Sequence, residues 1–361
     1  MKILALNWRD ITHPRAGGAE TNVHEILKRL IKKKHKVTLF CGYYQGSKRY
    51  DKIDGIEIIR AGNIATVYLL AIFFYFTKFR KENYDLIFEN ISGTPWMTML
   101  YSRKPRIAII YHIVGDIFFK EIPFLIALIA YFIESSIMPI FYKNTKVLAI
   151  SKSEKGDLID LGFKNLDIIN LGLDKKLRPN NKIRSKSPII LHVGRLMYYK
   201  RVDILINLMK DVVKQVKDAK LYIVGRGESK ESLESLVSEL GLNNNVKFFG
   251  FVSEKKKLEL LQNSWVFVTP SYKEGWGIVV LEANACGVPA ISFNVSGLKS
   301  SIVNNKTGYL VETEEDMLKK IITLIKDKKL RTKMSKQSIE WSKNFDWNKT
   351  TNKFIDTIKH L

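Results

Sequence analysis

Glu274–Ala283 reads EGWGIVVLEA and sets two carboxylates, Glu274 and Glu282, around a pair of glycines with seven residues between them. Upstream, Trp265–Ser271 (WVFVTPS) has the aromatic and β-branched content of a buried strand; Ile278–Ala285 has the apolar spacing of a helix packed on it. Gly275 and Gly277 therefore fall between a strand end and a helix start. There a chain without Cβ atoms can approach a ligand closely, and the first-turn N–H groups have no partner within the helix. Such a terminus favours an anion, most often a phosphate. Glu282 lies about one turn into the helix and Glu274 stays in the loop, so both can accept hydrogen bonds from one extended, hydroxyl-rich ligand. A ribose, a diphosphate and a sugar in series would satisfy this arrangement. The competing reading is a glycine-rich turn in a sheet that binds nothing, and the rest of the chain decides between them.

Outward from this stretch, short apolar strands alternate with helices. The first half places strands at Lys2–Asn7, Lys36–Cys41, Ile56–Arg60, Asp85–Phe88, Arg106–His112 and Lys146–Ser151. A polar segment, Arg178–Pro188 (RPNNKIRSKSP), breaks the pattern as a hinge. Strands at Ile189–Val193, Lys220–Val224, Val246–Phe249, Trp265–Thr269 and Ala290–Phe293 then repeat it. This alternation gives an α/β protein of two Rossmann-like, doubly wound parallel-sheet domains facing across a cleft, with ligands at the carboxyl ends of the strands. The expected division is 1–175, a linker at 176–188, a second domain at 189–345, and a C-terminal helix at 346–361 that can cross back to the first. A chain of 361 residues with 46% hydrophobic content has ample material for two cores.

Two cysteines far apart, Cys41 and Cys286, imply a reducing compartment without a disulfide framework, and the N-terminus does not read as a signal peptide. A cytoplasmic protein is expected. The net charge of +23 admits nucleic acid, an anionic membrane surface or anionic substrates as partners. No zinc spacing, aromatic RNA-binding signature or basic heptad region accompanies it, so nucleic acid is not expected. Lys32, Lys33, Lys34 and Lys36, and Lys255, Lys256 and Lys257, read as solvated faces. Two apolar stretches shift the weight toward lipid: 64–76 (IATVYLLAIFFYF) and 122–142 (IPFLIALIAYFIESSIMPIFY). Neither offers about 20 uninterrupted apolar residues, which argues against spanning. The first reads as a core-facing helix. The second is hydrophobic nearly all round and reads as a monotopic contact, with Lys78, Arg80, Lys81, Lys120 and Lys143 as cations for anionic head groups.

Three further motifs bear on chemistry. Thr12–Glu20 (THPRAGGAE) puts Gly17 and Gly18 at a helix start. Leu191–Lys200 (LHVGRLMYYK) offers Arg195 as a fork for phosphate oxygens and Lys200 as a point charge. A departing diphosphate must be neutralised by a metal or by cations. The chain has no Asp-x-Asp pair, so the expectation is metal-independent stabilisation by these cations and a helix terminus, with no cofactor beyond the co-substrate. His112 closes the strand RIAIIYH at a position suited to chemistry, although a lone histidine is more often structural. Gly225 and Gly227 in YIVGRGES lack the third glycine of a dinucleotide fingerprint, which excludes NAD.

Together these segments resemble glycosyltransferase family 4, whose members adopt the GT-B fold, use nucleotide-sugars and retain anomeric configuration. THPRAGGAE followed by KKKHKVTLF resembles the family's opening loop, helix and second strand, GRLMYYK its phosphate clamp, and KEGWGIVVLEANACGVPAI its paired-glutamate motif. The resemblance implies that Arg195 and Lys200 bind the donor diphosphate, Glu282 the ribose hydroxyls and Glu274 the transferred sugar. It places His112 beside the donor sugar, so the catalytic set is His112, Glu274, Arg195 and Lys200. Gly17, Gly18, Gly194 and Gly225 would line the donor, with Gly275, Trp276, Gly277, Ile278 and Val279 around the helix start. Main-chain groups at Gly250–Val252, including Phe251 and Val252, would face the base. One departure is SGLKSSIV, where Ser296 and Ser300 stand at places that many members give to glycine and an acid. It is closer to a subgroup that includes enzymes acting on lipid-linked acceptors.

The expectation is thus a retaining hexosyltransferase using a UDP- or GDP-sugar and a membrane-associated, polyprenyl-linked or other glycan acceptor, peripheral on the cytoplasmic membrane face. No nucleophile pair is evident, so front-face substitution is expected, the departing phosphate helping to deprotonate the acceptor. A soluble acceptor with the apolar segments buried is the second reading. A non-catalytic basic protein on the same fold, binding membrane or nucleic acid, is the third; the intact Arg195, Lys200, Glu274 and Glu282 speak against it.

Overall fold

The apolar runs form two separate sheets. The computed structural model describes residues 1–180 and 184–361. The chain divides into one unit of Met1–Gly172 with Asp346–Leu361 and a second of Leu173–Phe345. Of the expected hinge at 176–188, residues 181–183 lie outside the described residues.

In the first unit the strands are β1 (Lys2–Leu6), β2 (Lys36–Cys41), β3 (Tyr50–Ile53), β4 (Ile56–Arg60), β5 (Leu86–Ile91), β6 (Arg106–Ile110), β7 (Lys146–Ala149) and β8 (Leu166–Ile168). They lie in the order β3-β4-β2-β1-β5-β6-β7-β8. All pairs are parallel save β3 with β4, an antiparallel hairpin turned by Asp54 and Gly55, both at positive φ. An Asp-Gly pair is the usual signal for such a turn, but the polar alternation of YDKI hid the strand from a search for apolar runs. The amphipathic helix Gly18–Lys32 follows β1 and buries Val23, Ile26, Leu27 and Leu30. The C-terminal helix Trp347–Ile358 belongs to this unit: Phe354 meets Phe88 of β5 edge-on at 5.0 Å.

The second unit holds β9 (Ile189–Val193), β10 (Lys220–Val224), β11 (Val246–Gly250), β12 (Val266–Thr269), β13 (Ala290–Phe293) and β14 (Gly308–Val311), all parallel, in the order β11-β10-β9-β12-β13-β14. β8 and β14 escaped the sequence reading because three- and four-residue strands, one opening on glycine, carry little periodic signal. In each sheet the chain reverses its winding once, between β1 and β5 and between β9 and β12. Loops leaving neighbouring strands in opposite directions open a crevice at such a point.

The apolar segments depart from expectation. Residues 64–76 form the helix Val67–Phe74 and a π-helical turn at Tyr75–Phe79, of which Val67, Ala71, Tyr75 and Phe79 are buried. Leu69, Phe73 and Phe76 are exposed on the other side, so the core-helix reading holds for one face only. The second segment forms the helix Phe124–Phe132, a π-helical turn at Ile133–Ile137 and the helix Met138–Tyr142. The 19 residues Phe124–Tyr142 are long and apolar enough to cross a membrane by length and composition. Only Ala127 of Phe124–Phe132 is buried, while Leu125 is 72% and Ile129 62% exposed. The Glu134 carboxylate accepts the Val114 and Gly115 amides, each at 2.7 Å, which ties this segment to the loop after β6. The Lys120 side chain lies outside the described residues.

Gly172 tests the seating of the C-terminal helix. A Cβ there would meet the Trp347 ring at 2.3 Å and the Trp347 backbone nitrogen at 2.6 Å. Gly172→Ala is expected to destabilise the first unit by about 1–3 kcal/mol, read as a fall of several degrees in melting temperature, because backbone and a buried ring must both shift. An unchanged melting temperature would refute the packing.

Candidate functional site

In the second unit the winding reversal separates two loops, Gly194–Arg201 after β9 and Pro270–Gly277 after β12. Main chain first joins them: the Tyr272 amide donates to the Tyr199 carbonyl at 2.8 Å. Charge joins them more strongly. The Lys200 ammonium lies 2.5 Å from Oε1 of Glu274, with only 12% and 18% of the two side chains exposed. The same oxygen accepts the Ser271 hydroxyl at 2.9 Å, and Ser271 in turn meets Thr269 at 3.0 Å. Burial alone would push the Glu274 carboxyl up; the charge and hydrogen bond of Lys200 and the Ser271 hydroxyl outweigh it and hold the group below the usual range.

Beneath the pair, His192 of β9 is wholly buried, with its Nδ1 3.0 Å from the Val268 carbonyl, so Nδ1 carries the proton. Desolvation lowers its pKa to about 4, so the ring is neutral. Nε2 has no hydrogen-bond partner among the described residues.

Two close backbone crossings hold the loops. A Cβ on Gly225 would stand 1.7 Å from the Gly194 carbonyl oxygen, and one on Gly297 would stand 2.0 Å from the Glu274 carbonyl oxygen. Gly225 is also at φ +142, and Gly277 at φ +63 caps the helix Ile278–Ala285. Gly225 and Gly277 are required by conformation as well as by contact, and Gly297 by contact alone.

The structure brings Lys200, Glu274, Gly275, Gly277, Ile278 and Val279 to this crevice, while Arg195 stands at its exposed edge with Nη2 3.0 Å from the Tyr199 hydroxyl. Lys200 sits 5.0 Å above the same tyrosine ring. Trp276 differs from expectation: it is buried and packs edge-on against Phe345 at 5.3 Å, so it anchors the loop instead of lining it. Phe251 is 72% exposed under the Arg226 guanidinium, and Val252 packs partly against the apolar cluster of Leu260, Leu261 and Val280.

Glu282 lies one turn into the helix, and its carboxylate is held by Lys257 at 3.0 Å. The run Lys255–Lys257 reads in sequence as a solvated face, yet the Lys257 side chain is only 15% exposed. The signal was its phase: Lys257 shares a helix side with the buried Leu260 and Leu261, three and four residues on.

In the first unit His112 follows the buried Tyr111 at the carboxyl end of β6, half-buried, two residues before the amides that Glu134 clamps. Gly17 lies at the start of the helix Gly18–Lys32 with its amide engaged within the chain. Its amide already donates to Glu20 at 2.7 Å, and Glu20 also holds Arg9 at 3.0 Å, so the chain's own carboxylate occupies the start of that helix. Gly18 is the first residue of the same helix and is exposed.

Two parallel-sheet units, the second with an ion pair and a helix start at its winding reversal, define a GT-B glycosyltransferase. The chain belongs to the family 4 glycosyltransferases: residues 16–177 match the model described as Glycosyltransferase Family 4, and residues 174–341 match Glycosyl transferases group 1. An uncharacterised glycosyltransferase of Haemophilus influenzae is 32% identical over 55% of this chain and 57% of its own length. One from Methanocaldococcus jannaschii is 26% identical over 86% of this chain and 85% of its own. Among solved structures, sucrose-phosphate synthase from Thermosynechococcus elongatus superposes with a TM-score of 0.85 at 20% identity, covering 99% of this chain and 98% of that one. Anabaena HepE, solved with UDP-glucose, gives 0.78 at 19% identity with full coverage of both.

The ion pair makes a signed prediction. In the parent, Glu274 has a lowered pKa, so its stabilising contribution is present above the ordinary carboxyl range, near pH 4.3, and is lost as pH falls through its depressed value. In Lys200→Met the buried carboxyl loses its cation and burial pushes it up, so the cost is greatest at neutral and alkaline pH and shrinks on acidification. A deficit of up to about 3 kcal/mol at pH 8 is expected, narrowing toward pH 5. Denaturant unfolding at both pH values checks it; a deficit that does not change with pH would contradict it.

Proposed function

We propose that this protein is a retaining, metal-independent hexosyltransferase that takes its sugar from a UDP- or GDP-linked donor bound in the second unit. The observation that carries the reading is the Lys200–Glu274 pair at the β9/β12 reversal, in the loops that lead to the start of helix Ile278–Ala285, with Glu282 one turn into that helix. In this reading Lys200 and Arg195 meet the diphosphate, whose growing charge they stabilise together with the helix start. Glu274, kept as a carboxylate, accepts from hydroxyls of the transferred sugar, and Glu282 accepts from the ribose. Gly194 and Gly225 let main chain approach the phosphates, and Phe251 and Val252 flank the base. His112 joins the catalytic set by its place at the carboxyl end of β6. No nucleophile pair is evident in the sequence, which suits front-face substitution: the acceptor oxygen bonds to the anomeric carbon as the glycosidic C–O bond to the diphosphate breaks, and the acceptor proton passes to the departing phosphate. No further cofactor is invoked. HepE, whose structure holds UDP-glucose, supports the donor class.

The acceptor is proposed to be membrane-held, with the enzyme peripheral on the cytoplasmic face. Support comes from the exposed Phe124, Leu125, Ile126, Leu128, Ile129 and Phe132, from the nearby Lys143, and from the net charge of +23. Each large apolar side chain moved out of water contributes roughly 1.5–3 kcal/mol, and anionic head groups add to this.

A thermal-shift screen against UDP-, GDP- and ADP-sugars should single out one donor base, since a ligand at 100 times its dissociation constant stabilises by about 2.7 kcal/mol. With that donor, Glu274→Ala and Arg195→Ala are each expected to lose on the order of 10² in rate; parental rates in both would end the assignment. For the membrane, Leu125→Asp with Ile129→Asp should abolish flotation with anionic vesicles while leaving the melting temperature unchanged, because both side chains face solvent. A parent that does not float would favour a soluble acceptor.

A further inference from the structure

Lys257 is a buried cation that the donor reading does not use. Its ammonium is 3.0 Å from Oε1 and 3.0 Å from Oε2 of Glu282, and 2.9 Å from Oε2 of Glu254. The two contacts differ in weight. Glu282 is 13% exposed and Glu254 86%, so water screens the second contact and leaves the first desolvated. Lys257 comes from the helix Glu254–Asn263 and reaches the helix Ile278–Ala285 from the side. The ammonium hydrogen-bonds Oε1 and stands equally close to Oε2, which is buried and has no further donor among the described residues. A carboxylate in that state needs a cation to remain charged, and it keeps acceptor capacity for a ligand.

We propose that Lys257 is a positioning residue that keeps Glu282 a carboxylate and fixes its direction, so that the remaining acceptor capacity receives the hydroxyls of the donor's ribose. This rests on the reading of the second unit as a nucleotide-diphosphate site. The groups facing Glu282 support the assignment. Burial pushes its carboxyl up, Lys257 opposes this, and Glu254 and Asp174 push it further up. On its own helix the Cys286 thiol is pushed up to about 12 and stays neutral. Among the described residues facing it, Lys257 is therefore the cation that offsets part of the burial, and the carboxyl stays above its usual range even with Lys257 in place. A carboxylate accepts a hydroxyl more strongly than the neutral acid does, so the consequence of losing Lys257 is weaker ribose binding that depends on pH.

The experiment measures UDP and GDP binding by calorimetry on the full chain, between about pH 6 and about pH 8.5, and follows the tighter nucleotide. Variants are Lys257→Met, Lys257→Gln, Lys257→Arg and Glu282→Gln, each compared with the parent as a ratio of dissociation constants, which cancels the titration of the nucleotide itself. Lys257→Met and Lys257→Gln should bind about 5- to 10-fold more weakly than the parent at the acidic end and recover most of that at the alkaline end, since protonation weakens the acceptor. Lys257→Arg should track the parent, and Glu282→Gln should be weak at every pH. A loss in Lys257→Gln that is the same at all pH values, or no loss at all, overturns the role of Lys257. Failure of the underlying reading looks different: neither nucleotide binds the parent, or Glu282→Gln binds as the parent does. Should Lys257→Met fail to fold, Lys257→Gln and Lys257→Arg still decide the question.

Discussion

The second unit turns on one ion pair placed where its sheet changes winding direction. Lys200 and Glu274 come from loops that leave β9 and β12, neighbours in space but separated by two intervening strands in sequence. Removing two charges from water costs several kcal/mol per ion, and their attraction offsets this only when geometry and further hydrogen bonds are good. Here the offset is assembled from Ser271 below, Thr269 behind it, and a neutral His192 that adds no competing charge. The pair thus fixes two loops against each other and presents a cation and an anion side by side at the strand ends.

Holding that geometry requires backbone to pass backbone at distances that no side chain permits. Gly225 crosses the Gly194 carbonyl and Gly297 crosses the carbonyls of Glu274 and Gly275. Glycines read in sequence as places where main chain approaches a ligand, Gly194 and Gly225 among them, are therefore packing elements as well, and these contacts hold the loops in place. Rigidity is what electrostatic stabilisation needs, since donors and charges that must reorganise during a reaction lose most of their value.

What the sequence made legible follows from what is local. Apolar runs bounded by turns located eleven of the strands, because burial on both faces leaves a continuous signal. β3 was hidden by its solvent alternation, β8 by its three-residue length and β14 by the glycine on which its four residues open. EGWGIVVLEA was legible because strand end, glycines and helix start are adjacent in the chain. The partners of its carboxylates were not equally so. Lys200 was found from its own motif. Lys257 was lost among three lysines, since the number of charges in a run says nothing about which one points inward; helix phase does. The partner of the Gly17 amide was equally hidden. A helix start invites an anion, but Glu20, three residues on, supplies one from within.

The apolar helices show a different kind of constraint. The buried row Val67, Ala71, Tyr75 and Phe79 repeats every four residues, and on an α-helix each such step drifts by about 40° around the axis. Left uncorrected, the row would rotate off the sheet before reaching Phe79. The π-helical turn at Tyr75–Phe79 accommodates one more residue and cancels part of that drift. The second segment does the same at Ile133–Ile137, which brings Glu134, Met138 and Tyr142 inward after a stretch in which Ala127 alone is buried. Both helices are thereby held to the first unit along a buried row, flanked in the first helix by the partly buried Tyr68, Leu70 and Phe74, while Leu69, Phe73 and Phe76 of the first and most of Phe124–Phe132 of the second are turned outward. A core helix would close over its apolar residues; these keep them in water while Glu134, the one acid in the second segment, is spent on the Val114 and Gly115 amides beside His112. The segment that faces outward is therefore mechanically continuous with the loop that follows the histidine, so whatever surface it meets is linked to that loop through two short hydrogen bonds.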